Sequence, residues 1–214
     1  MARNILFIIL FIVLYGGLAL LCTKDGEEMI DRGGYGEFSE NHYSCEACSF
    51  EMELEPDWIP LDGVAIQNSY TKEELYDYFG EPGTYDIITG FYAPGLYVEC
   101  IRYNDVNLDS GHFTNTYLNE QIEFYKENVR QSGGTMGSSG SYIFQAQGNG
   151  ENMGIYNYDY TLNGEFGSEL NCFMNCGDDV LWFFGYYEDR ESMGKMLTFL
   201  NSKITFGSSA EQTV

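Results

Sequence analysis

Basic residues are scarce in this chain. Its 214 residues include 10 Lys and Arg against 33 Asp and Glu, which gives a formal net charge of −23 at pH 7. Such a chain repels phosphate groups, so nucleic acid and anionic lipid headgroups are excluded as partners of its surface. Cations, sugars and basic proteins remain, and the charge also keeps an exported protein soluble.

Histidine and the common catalytic motifs are also scarce. The chain has two histidines, His42 and His112, and contains no His-Glu-x-x-His, no Gly-x-Ser-x-Gly and no phosphate-binding loop that ends in Lys-Ser/Thr. The sequence therefore predicts no catalytic residue and favours a protein that is not an enzyme. No asparagine begins an Asn-x-Ser/Thr acceptor site, which favours a bacterial protein over a eukaryotic secreted one.

One long apolar run stands at the start of the chain, over residues 5–22, directly after Arg3. A membrane-spanning helix needs about 20 apolar residues and the core of a signal peptide needs about 7 to 15. Residues 1–22 are therefore predicted to be either a signal peptide or an N-terminal membrane anchor. In both cases the rest of the chain is exported, so we expect an extracytoplasmic protein that is anchored to the membrane or secreted.

Large apolar residues are few between residues 23 and 48, where glycines and acidic residues dominate. This composition predicts an acidic, Gly-rich tether, which ends in the C-x-x-C motif of Cys45 and Cys48. The remaining length suits a single core. We therefore expect one domain over residues 49–207 and a disordered tail over residues 208–214.

The pattern after residue 49 predicts a short helix, a long helix and a series of strands. Thr71 and Glu74 have the spacing of a capping box, and Thr114 or Asn115 begins the long helix, which ends before Gly133. Residues 132–140 are predicted to be a flexible Gly/Ser loop. The first predicted strand is 50–54, and strands 85–92 and 96–103 form a predicted hairpin. A predicted four-strand meander follows, with strands 142–147, 154–162, 168–175 and 180–187. A predicted helix at 190–200 then leads into a last strand at 204–206.

This order predicts an α+β fold, an antiparallel sheet of a hairpin plus a four-strand meander that is covered by helices. The order resembles the PsbP-like α/β/α sandwich of extrinsic photosystem II subunits and bacterial envelope lipoproteins. The residues that carry the resemblance are 50–58, the hairpin with helix 117–130, the meander, and the closing stretch 196–206. The resemblance covers about residues 49–206, and it implies this fold with a binding or accessory role.

The cysteines are the first group of candidate functional residues. In an exported protein, cysteines usually form disulfides. Cys172 and Cys176 lie in one predicted strand, about 13 Å apart at roughly 3.3 Å per residue, so they cannot bridge each other. Disulfides are instead expected to join Cys100 or the Cys45/Cys48 segment to the meander. A zinc site that combines His42, Cys45 and Cys48 with one of the other cysteines is an alternative, and a redox dithiol is another.

Two further groups are candidate sites. Asp105, Asn107 and Asp109 alternate as in the first half of a calcium loop, although the later positions of that loop do not match. The aromatic meander offers a face for a ligand, because aromatic rings stack on sugars. Its candidate residues are Tyr156, Tyr158, Tyr160 and Trp182.

The function predicted from the sequence is therefore a non-catalytic extracytoplasmic binding or accessory domain. Its partners are the membrane, through the N-terminal segment, and an envelope protein or a polysaccharide. A carbohydrate-binding or carbohydrate-cleaving module is one alternative function, and a zinc-stabilised envelope protein is another. The carbohydrate hypothesis requires the tyrosine row of the meander to be open to solvent.

Overall fold

Two antiparallel sheets and four α-helices make up residues 36–45, 49–148 and 150–206, the part of the chain that this computed structural model describes. The predictions for residues 1–22, for the tether as far as residue 35, for Cys48 and for the tail 208–214 lie outside the described residues. No described helix is long and apolar enough to cross a membrane.

The elements follow one another in a mixed order. The strands are β1 (Glu37–Ser39), β2 (His42–Cys45), β3 (Phe50–Glu53), β4 (Ile59–Asp62), β5 (Tyr85–Ala93), β6 (Leu96–Tyr103), β7 (Thr135–Gln145), β8 (Asn152–Leu162), β9 (Glu165–Cys176), β10 (Asp179–Tyr187) and β11 (Ile204–Phe206). The helices are α1 (Gly63–Gln67), α2 (Lys72–Phe79), α3 (Asn115–Gln131) and α4 (Arg190–Ser202), with a 3₁₀ turn at Ser110–Phe113 before α3.

The predicted hairpin and meander combine into one seven-stranded sheet of order β4-β5-β6-β10-β9-β8-β7. The two parts meet where β10 pairs with β6, with Trp182 opposite Ile101 and Phe183 opposite Cys100. The other sheet has the order β1-β2-β3-β11. The predicted fold class, an antiparallel sheet of hairpin and meander covered by helices, is confirmed.

Three helices cover one face of the seven-stranded sheet, which we call the helical face. Leu118 and Ile122 of α3 pack on aromatic side chains of β8 and β9, while Ile66 of α1 and Phe79 of α2 pack over β5, β6 and β10. The strand β10 lies between these two groups of helices. Because antiparallel neighbours in register share a face, Trp182 belongs to this side of the sheet.

The opposite face packs against the four-stranded sheet and α4, and we call it the inner face. Phe50 of β3 lies edge-on to Phe183 of β10, with ring centroids 6.0 Å apart, and stacks on Phe206 of β11. Phe199 of α4 contacts Trp58, whose ring lies 5.0 Å away. The largest core cluster of the molecule therefore lies between the two sheets.

Residues 37–45 form β1 and β2, although their composition predicts a tether. Strand β2 alternates buried and open positions, with Tyr43 and Cys45 turned inward, and it pairs with β3. The Tyr43 ring lies 5.0 Å from Phe38 and 5.3 Å from Phe50. The predicted start of the domain at residue 49 is therefore too late, because a few large side chains order an otherwise Gly-rich and acidic stretch.

The predicted flexible loop 132–140 is also wrong, because most of it belongs to β7. This strand pairs with β8 along its length, with one register shift between Met136 and Ser139. Gly134, directly before this strand, lies close to both β8 and α3, since a Cβ there would come within 2.6 Å of the Thr161 carbonyl oxygen and 2.9 Å of Val129 Cγ1. Pairing with β8 orders these Gly and Ser residues, so they do not mark a flexible segment.

Candidate functional site: an aromatic hollow with an acidic rim

A hollow of about 210 Å³ opens on the helical face, between α3 and the loop 104–109 that follows β6. Ligand pockets for drug-sized molecules usually occupy about 300–1,000 Å³, so this one suits a single side chain or a small ring. Aromatic side chains dominate its lining, which includes Tyr103, Tyr117, Tyr156, Phe173 and Trp182.

Trp182 contributes the indole of the hollow, and its orientation is fixed. Its Nε1 donates a hydrogen bond to Oδ1 of Asn171 at 3.1 Å. Its ring centroid lies 5.4 Å from that of Phe184 and 6.1 Å from that of Tyr103. An aromatic surface held in this way loses little side-chain entropy when a ligand binds.

The loop 104–109 forms the outer wall, with Val106 and Leu108 turned toward the hollow. Asn175 of β9 holds this loop: its Oδ1 accepts from the Leu108 amide at 2.9 Å, and its Nδ2 donates to the Leu108 carbonyl at 2.8 Å. Asn107 Nδ2 donates to the Gly177 carbonyl at 3.1 Å. The wall is therefore held to the β9–β10 turn by side-chain bonds, in the way that a neighbouring strand would hold it.

Acidic side chains surround this wall. Asp105 and Asp109 belong to the loop, and Asp179 belongs to β10, where its Oδ1 accepts from the Asp105 amide at 3.0 Å. The Asp109 carboxylate accepts from Gly111 N at 2.8 Å and lies 3.0 Å from His112 Nδ1. The hydrogen bond with His112 lowers the pKa of Asp109. None of these three carboxylates lines the hollow itself, and we call Asp105, Asp109 and Asp179, which surround its wall, the acidic rim.

The residues predicted to bind calcium lie in this wall and rim. Asn107 and Asp109 have the turn contacts described above, with Gly177, Gly111 and His112. Among the residues in the described ranges, no group of three or more His, Cys, Asp or Glu side chains is arranged to hold a metal ion. The side chains of Asn107 and Asp109 thus stabilise a loop, as does the backbone amide of Asp105, and the predicted role of the three residues as calcium ligands stays a prediction.

The tyrosine row predicted as a ligand face is only partly open. Tyr156 and Tyr158 are 6% and 2% exposed. Tyr125 of α3 stacks on both rings, with centroids 6.0 Å and 5.2 Å away. Tyr160 is half-buried, and Trp182 reaches the hollow. Since α3 covers the row, these tyrosines do not form the open surface that the carbohydrate hypothesis needs.

A buried carboxylate that no sequence motif marks lies on the same face. Glu99 of β6 is 1% exposed, and its Oε1 accepts hydrogen bonds from Tyr70 at 2.7 Å and from Tyr97 at 2.5 Å. Its Oε2 has no partner among the described residues. Burial raises the pKa of Glu99, although the two tyrosine hydrogen bonds act in the opposite direction. The available signal was its position two residues from Tyr97 and Ile101, which places all three on one face of the strand.

Glu169 of β9 repeats this arrangement on the other side of β10. It accepts a hydrogen bond from Tyr158, and burial raises its pKa. Burial and the nearby Glu169 together raise the pKa of Tyr160 to about 12. The helical face thus carries two carboxylates that accept from tyrosines, on the two strands that flank β10.

The buried cysteines lie on the inner face. Cys100 of β6 and Cys172 of β9 both oppose Phe183 of β10, so one whole strand separates them. No disulfide is formed between described residues, and burial raises the pKa of both thiols. Cys45 and Cys176 are buried in the same core cluster. The predicted staple between the tether and the meander stays a prediction, because Cys48 lies outside the described residues.

His42 does not share a face of β2 with Cys45. Two residues three positions apart in a strand point to opposite sides, and here His42 is open to solvent whereas Cys45 is buried. His42 Nδ1 lies 3.2 Å from a carboxylate oxygen of Glu53. The described part of the predicted zinc set is therefore not brought together.

Comparison with known proteins gives a similarity of fold. No protein-family model and no curated protein matches the sequence. The structure is similar to cyanobacterial PsbP (CyanoP) from Synechocystis sp. PCC 6803, with a TM-score of 0.45 and 14% identity, over 86% of this chain and 99% of that chain. It is also similar to LpqN of Mycobacterium tuberculosis, a protein involved in cell envelope biogenesis, with a TM-score of 0.38 and 11% identity, over 74% and 83% of the two chains. The first similarity is to the family that the sequence resembles, and both concern the fold alone.

Proposed function

We propose that this chain is a non-catalytic accessory domain of the cell envelope that binds a basic exported protein. In this proposal the aromatic hollow receives one apolar or aromatic side chain of the partner. The acidic rim then pairs with basic residues that flank that side chain. The observation that carries the proposal is Trp182, a half-buried indole that Asn171 holds beside the loop that carries Asp105 and Asp109.

Charge complementarity favours a basic protein over other ligands of the hollow. The whole chain carries a formal charge of −23, and Asp105, Asp109 and Asp179 lie around the loop that forms its wall. Opposite charges steer a partner toward such a surface and speed association. A desolvated aromatic anchor then supplies most of the affinity, as buried tryptophan contacts do in other interfaces.

The size of the hollow and the covering of the tyrosine row disfavour a polysaccharide at this face. An extended sugar chain needs a row of open rings, and Tyr125 of α3 lies over Tyr156 and Tyr158. A space of about 210 Å³ suits one anchoring side chain of a protein.

The cellular location in this proposal depends on residues 1–22, whose apolar run after Arg3 predicts export. Fractionation of cells that produce the full chain tests it. We expect the protein in the membrane or secreted fraction and accessible to protease added from outside. Recovery of an intact, unprocessed chain from the cytosol would contradict the proposal.

Site-specific photocrosslinking in intact cells tests the partner. A benzophenone amino acid replaces Val106, which is 38% exposed on the wall of the hollow, and in a control chain it replaces Phe124, which is 60% exposed on α3. We expect position 106, and not position 124, to capture one exported protein whose net charge is positive. Trp182→Ala should abolish this product.

Two results would overturn the assignment of the hollow. One is capture of the same set of proteins at both positions, since that would mean general contact without a docking site. The other is a product at position 106 that survives both Trp182→Ala and the triple substitution of Asp105, Asp109 and Asp179 by Asn. Thermal unfolding of each variant checks that the fold is retained.

A further inference from the structure

The helical face has a second open stretch, at the end of β10 that lies away from the aromatic hollow. Tyr186 is 39% exposed there. It shares its face of the strand with Phe184 and Trp182, because alternate residues point the same way. Its ring stacks on that of Tyr97 of β6, with centroids 6.5 Å apart, and lies edge-on to Phe184 at 5.0 Å. An ordered aromatic ring is therefore open to solvent between the two groups of helices.

Tyr160 of β8 approaches Tyr186 from the other side. It lies opposite Gly167 of β9, and a Cβ on Gly167 would come within 2.7 Å of both Cε2 and Oη of Tyr160. The tyrosine ring thus lies over the glycine, in the space that a side chain of β9 would fill, and extends across β9 toward β10. Gly167 does not have a positive φ, so its backbone conformation does not require glycine. The glycine matters because it lets this ring lie across the strand.

Tyr78 of α2 stands at the edge of the same stretch. It is 58% exposed, and its ring centroid lies 6.1 Å from that of Tyr70. Burial raises the pKa of Tyr160 and of Tyr186, and the nearby Tyr78 hydroxyl adds to both shifts. We call Tyr78, Tyr97, Tyr160 and Tyr186 the tyrosine platform. Its members come from α2, β6, β8 and β10, so only the folded sheet brings them together.

Two carboxylates lie beside the platform. Half-buried Glu169 of β9 accepts a hydrogen bond from Tyr160, and the register of β9 with β10 places it beside Tyr186. Glu99 lies under Tyr97, too deep to touch a ligand. Within the described ranges, neither carboxylate forms an ion pair with a basic side chain. The platform therefore has negative groups and no cation of its own.

This combination favours an organic cation. Aromatic rings attract a cation that lies over their faces within about 6 Å, and the carboxylates add to that attraction. Hydrogen-bond acceptors are scarce, because Glu99 and Glu169 already accept from tyrosine hydroxyl groups. A primary ammonium group has three N–H donors that need acceptors. A quaternary ammonium group has none, so it matches the platform better.

We propose that the tyrosine platform binds a quaternary ammonium group, with its methyl groups on the rings of Tyr160 and Tyr186 and its charge beside Glu169. Tyr78 and Tyr97 complete the aromatic surface around it. The platform shares no residue with the lining of the aromatic hollow, so this site does not depend on the protein partner proposed above.

Titration of the purified protein with choline, followed by NMR, tests this site. Because burial raises the pKa of Glu169, the titration is run at pH 8, where the carboxylate form is favoured. We expect choline to shift the Tyr186 ring signals with a Kd on the order of 1 mM. The neutral isostere 3,3-dimethylbutan-1-ol should bind at least about tenfold more weakly, because it lacks the charge. n-Butylammonium should also bind more weakly than choline.

Phosphocholine distinguishes two sources of the ligand. It carries the same quaternary ammonium group as a choline lipid headgroup, together with a phosphate that the acidic chain repels. Binding at least as tight as that of choline supports a headgroup as the ligand. Weaker binding supports a free quaternary ammonium solute at the same site.

Substitutions locate the bound cation. Tyr186→Leu keeps the apolar bulk but removes the ring, and it should weaken choline binding about tenfold, whereas Tyr186→Phe should retain it. Glu169→Gln should also weaken binding, because the charge is lost. Tyr76→Leu is the matched control, since Tyr76 lies on α2 outside the platform and is as exposed as Tyr78, at 58%. It should bind choline as the wild type does.

Three results would overturn the proposal. The first is equal binding of choline and its neutral isostere, or tighter binding of n-butylammonium, since a quaternary cation would then not be what the site selects. The second is a choline-dependent shift of the Trp182 indole signal without one at Tyr186. The third is choline binding that survives both Tyr186→Leu and Glu169→Gln, with thermal unfolding showing that both variants are folded.

Discussion

At the scale of single residues, the aromatic hollow depends on polar side chains at strand positions where apolar ones are usual. Asn171 orients Trp182, and Asn175 holds the loop 104–109. Glu99 is the most extreme case, since it is a carboxyl group under two tyrosines. Such groups cost stability unless they are bonded, so their contributions can be measured one at a time.

The first prediction concerns Glu99→Gln, which keeps the shape and removes the charge. Because burial raises the pKa of Glu99 in the folded state, the folded protein favours the neutral form. Its contribution to stability is complete below the pKa of the unfolded chain and is lost as pH rises through the folded pKa. We therefore expect the variant to match wild type at pH 4 and to be more stable by about 1 kcal/mol at pH 7, measured by urea unfolding.

Glu120→Gln, on the exposed side of α3, is the control for this comparison, and its unfolding free energy should follow wild type across the same pH range. A Glu99→Gln variant that is less stable than wild type at pH 7 would show that the two tyrosines stabilise a charged carboxylate by more than burial destabilises it.

The second prediction concerns Asn175→Ala, which removes both bonds to the Leu108 backbone. We expect a loss of about 2 kcal/mol in the free energy of unfolding, since each net hydrogen bond is worth about 1 kcal/mol. Hydrogen exchange at the Leu108 amide should become faster. Asn119→Ala removes one exposed contact with Ser141 and should cost less than about 1 kcal/mol. Unchanged exchange at Leu108 would mean that Asn175 does not hold the wall.

At the scale of elements, the four-stranded sheet is the part whose full extent could not be predicted from the sequence. It covers the inner face of the seven-stranded sheet through Phe50 and Phe206, and β1 and β2 extend that cover. Strand β11 comes from the end of the described chain and pairs with β3 near its start, so the sheet joins segments about 150 residues apart in sequence. The stability of this sheet therefore depends on the pairing of segments from both ends of the described chain.

The third prediction tests whether β1 and β2 belong to the domain. Tyr43→Ala should destabilise the protein by about 3–5 kcal/mol, the cost of removing a fully buried aromatic ring. His42→Ala changes the neighbouring open position and should lie within about 0.5 kcal/mol of wild type. Thermal and urea unfolding supply both values. Equal effects of the two substitutions would mean that residues 37–45 belong to the tether and not to the folded domain.

Sequence patterns identified the elements that carry local signals. Thr71 and Glu74 form the capping box that their spacing predicts, and α3 begins at Asn115 and ends before Gly133. The patterns failed where distant packing decides the structure. A Cβ at Gly134 would meet the Thr161 carbonyl oxygen of β8 at 2.6 Å, and a Cβ at Gly63 of α1 would meet the Ile87 carbonyl oxygen at 2.1 Å. Neither contact has a signature in the neighbouring residues.

The sites were harder to predict than the fold for a related reason. Trp182 and Tyr156 were identified as ligand candidates, and both line the hollow. The loop that completes it is placed by Asn175, about 70 residues further along the chain, through bonds that no short motif encodes. The buried positions of Glu99 and Asn157 follow from strand alternation, but the partners of these side chains come from other elements.

At the scale of the whole molecule, the dominant property is the excess of acidic residues. Exposed ion pairs such as Lys126 with Glu123, 2.9 Å apart, contribute little, and salt weakens them. The partly buried pair of Arg102 with Asp86, 2.8 Å apart, is screened less. With 33 acidic residues against 10 basic ones, repulsion among like charges outweighs these attractions. Screening should therefore stabilise the folded state.

The last prediction follows from that balance. Raising NaCl from about 10 mM to about 150 mM shortens the Debye length from about 30 Å to about 8 Å. We expect the midpoint of thermal unfolding to rise by about 2–4 °C, equivalent to about 1 kcal/mol for a chain of this size. NaCl, MgCl₂ and CaCl₂ at equal ionic strength should give similar shifts, because screening depends on charge and not on coordination. A fall with NaCl would contradict the dominance of repulsion, and an additional rise with CaCl₂ alone that disappears in Asp109→Asn would show that the loop 104–109 binds calcium.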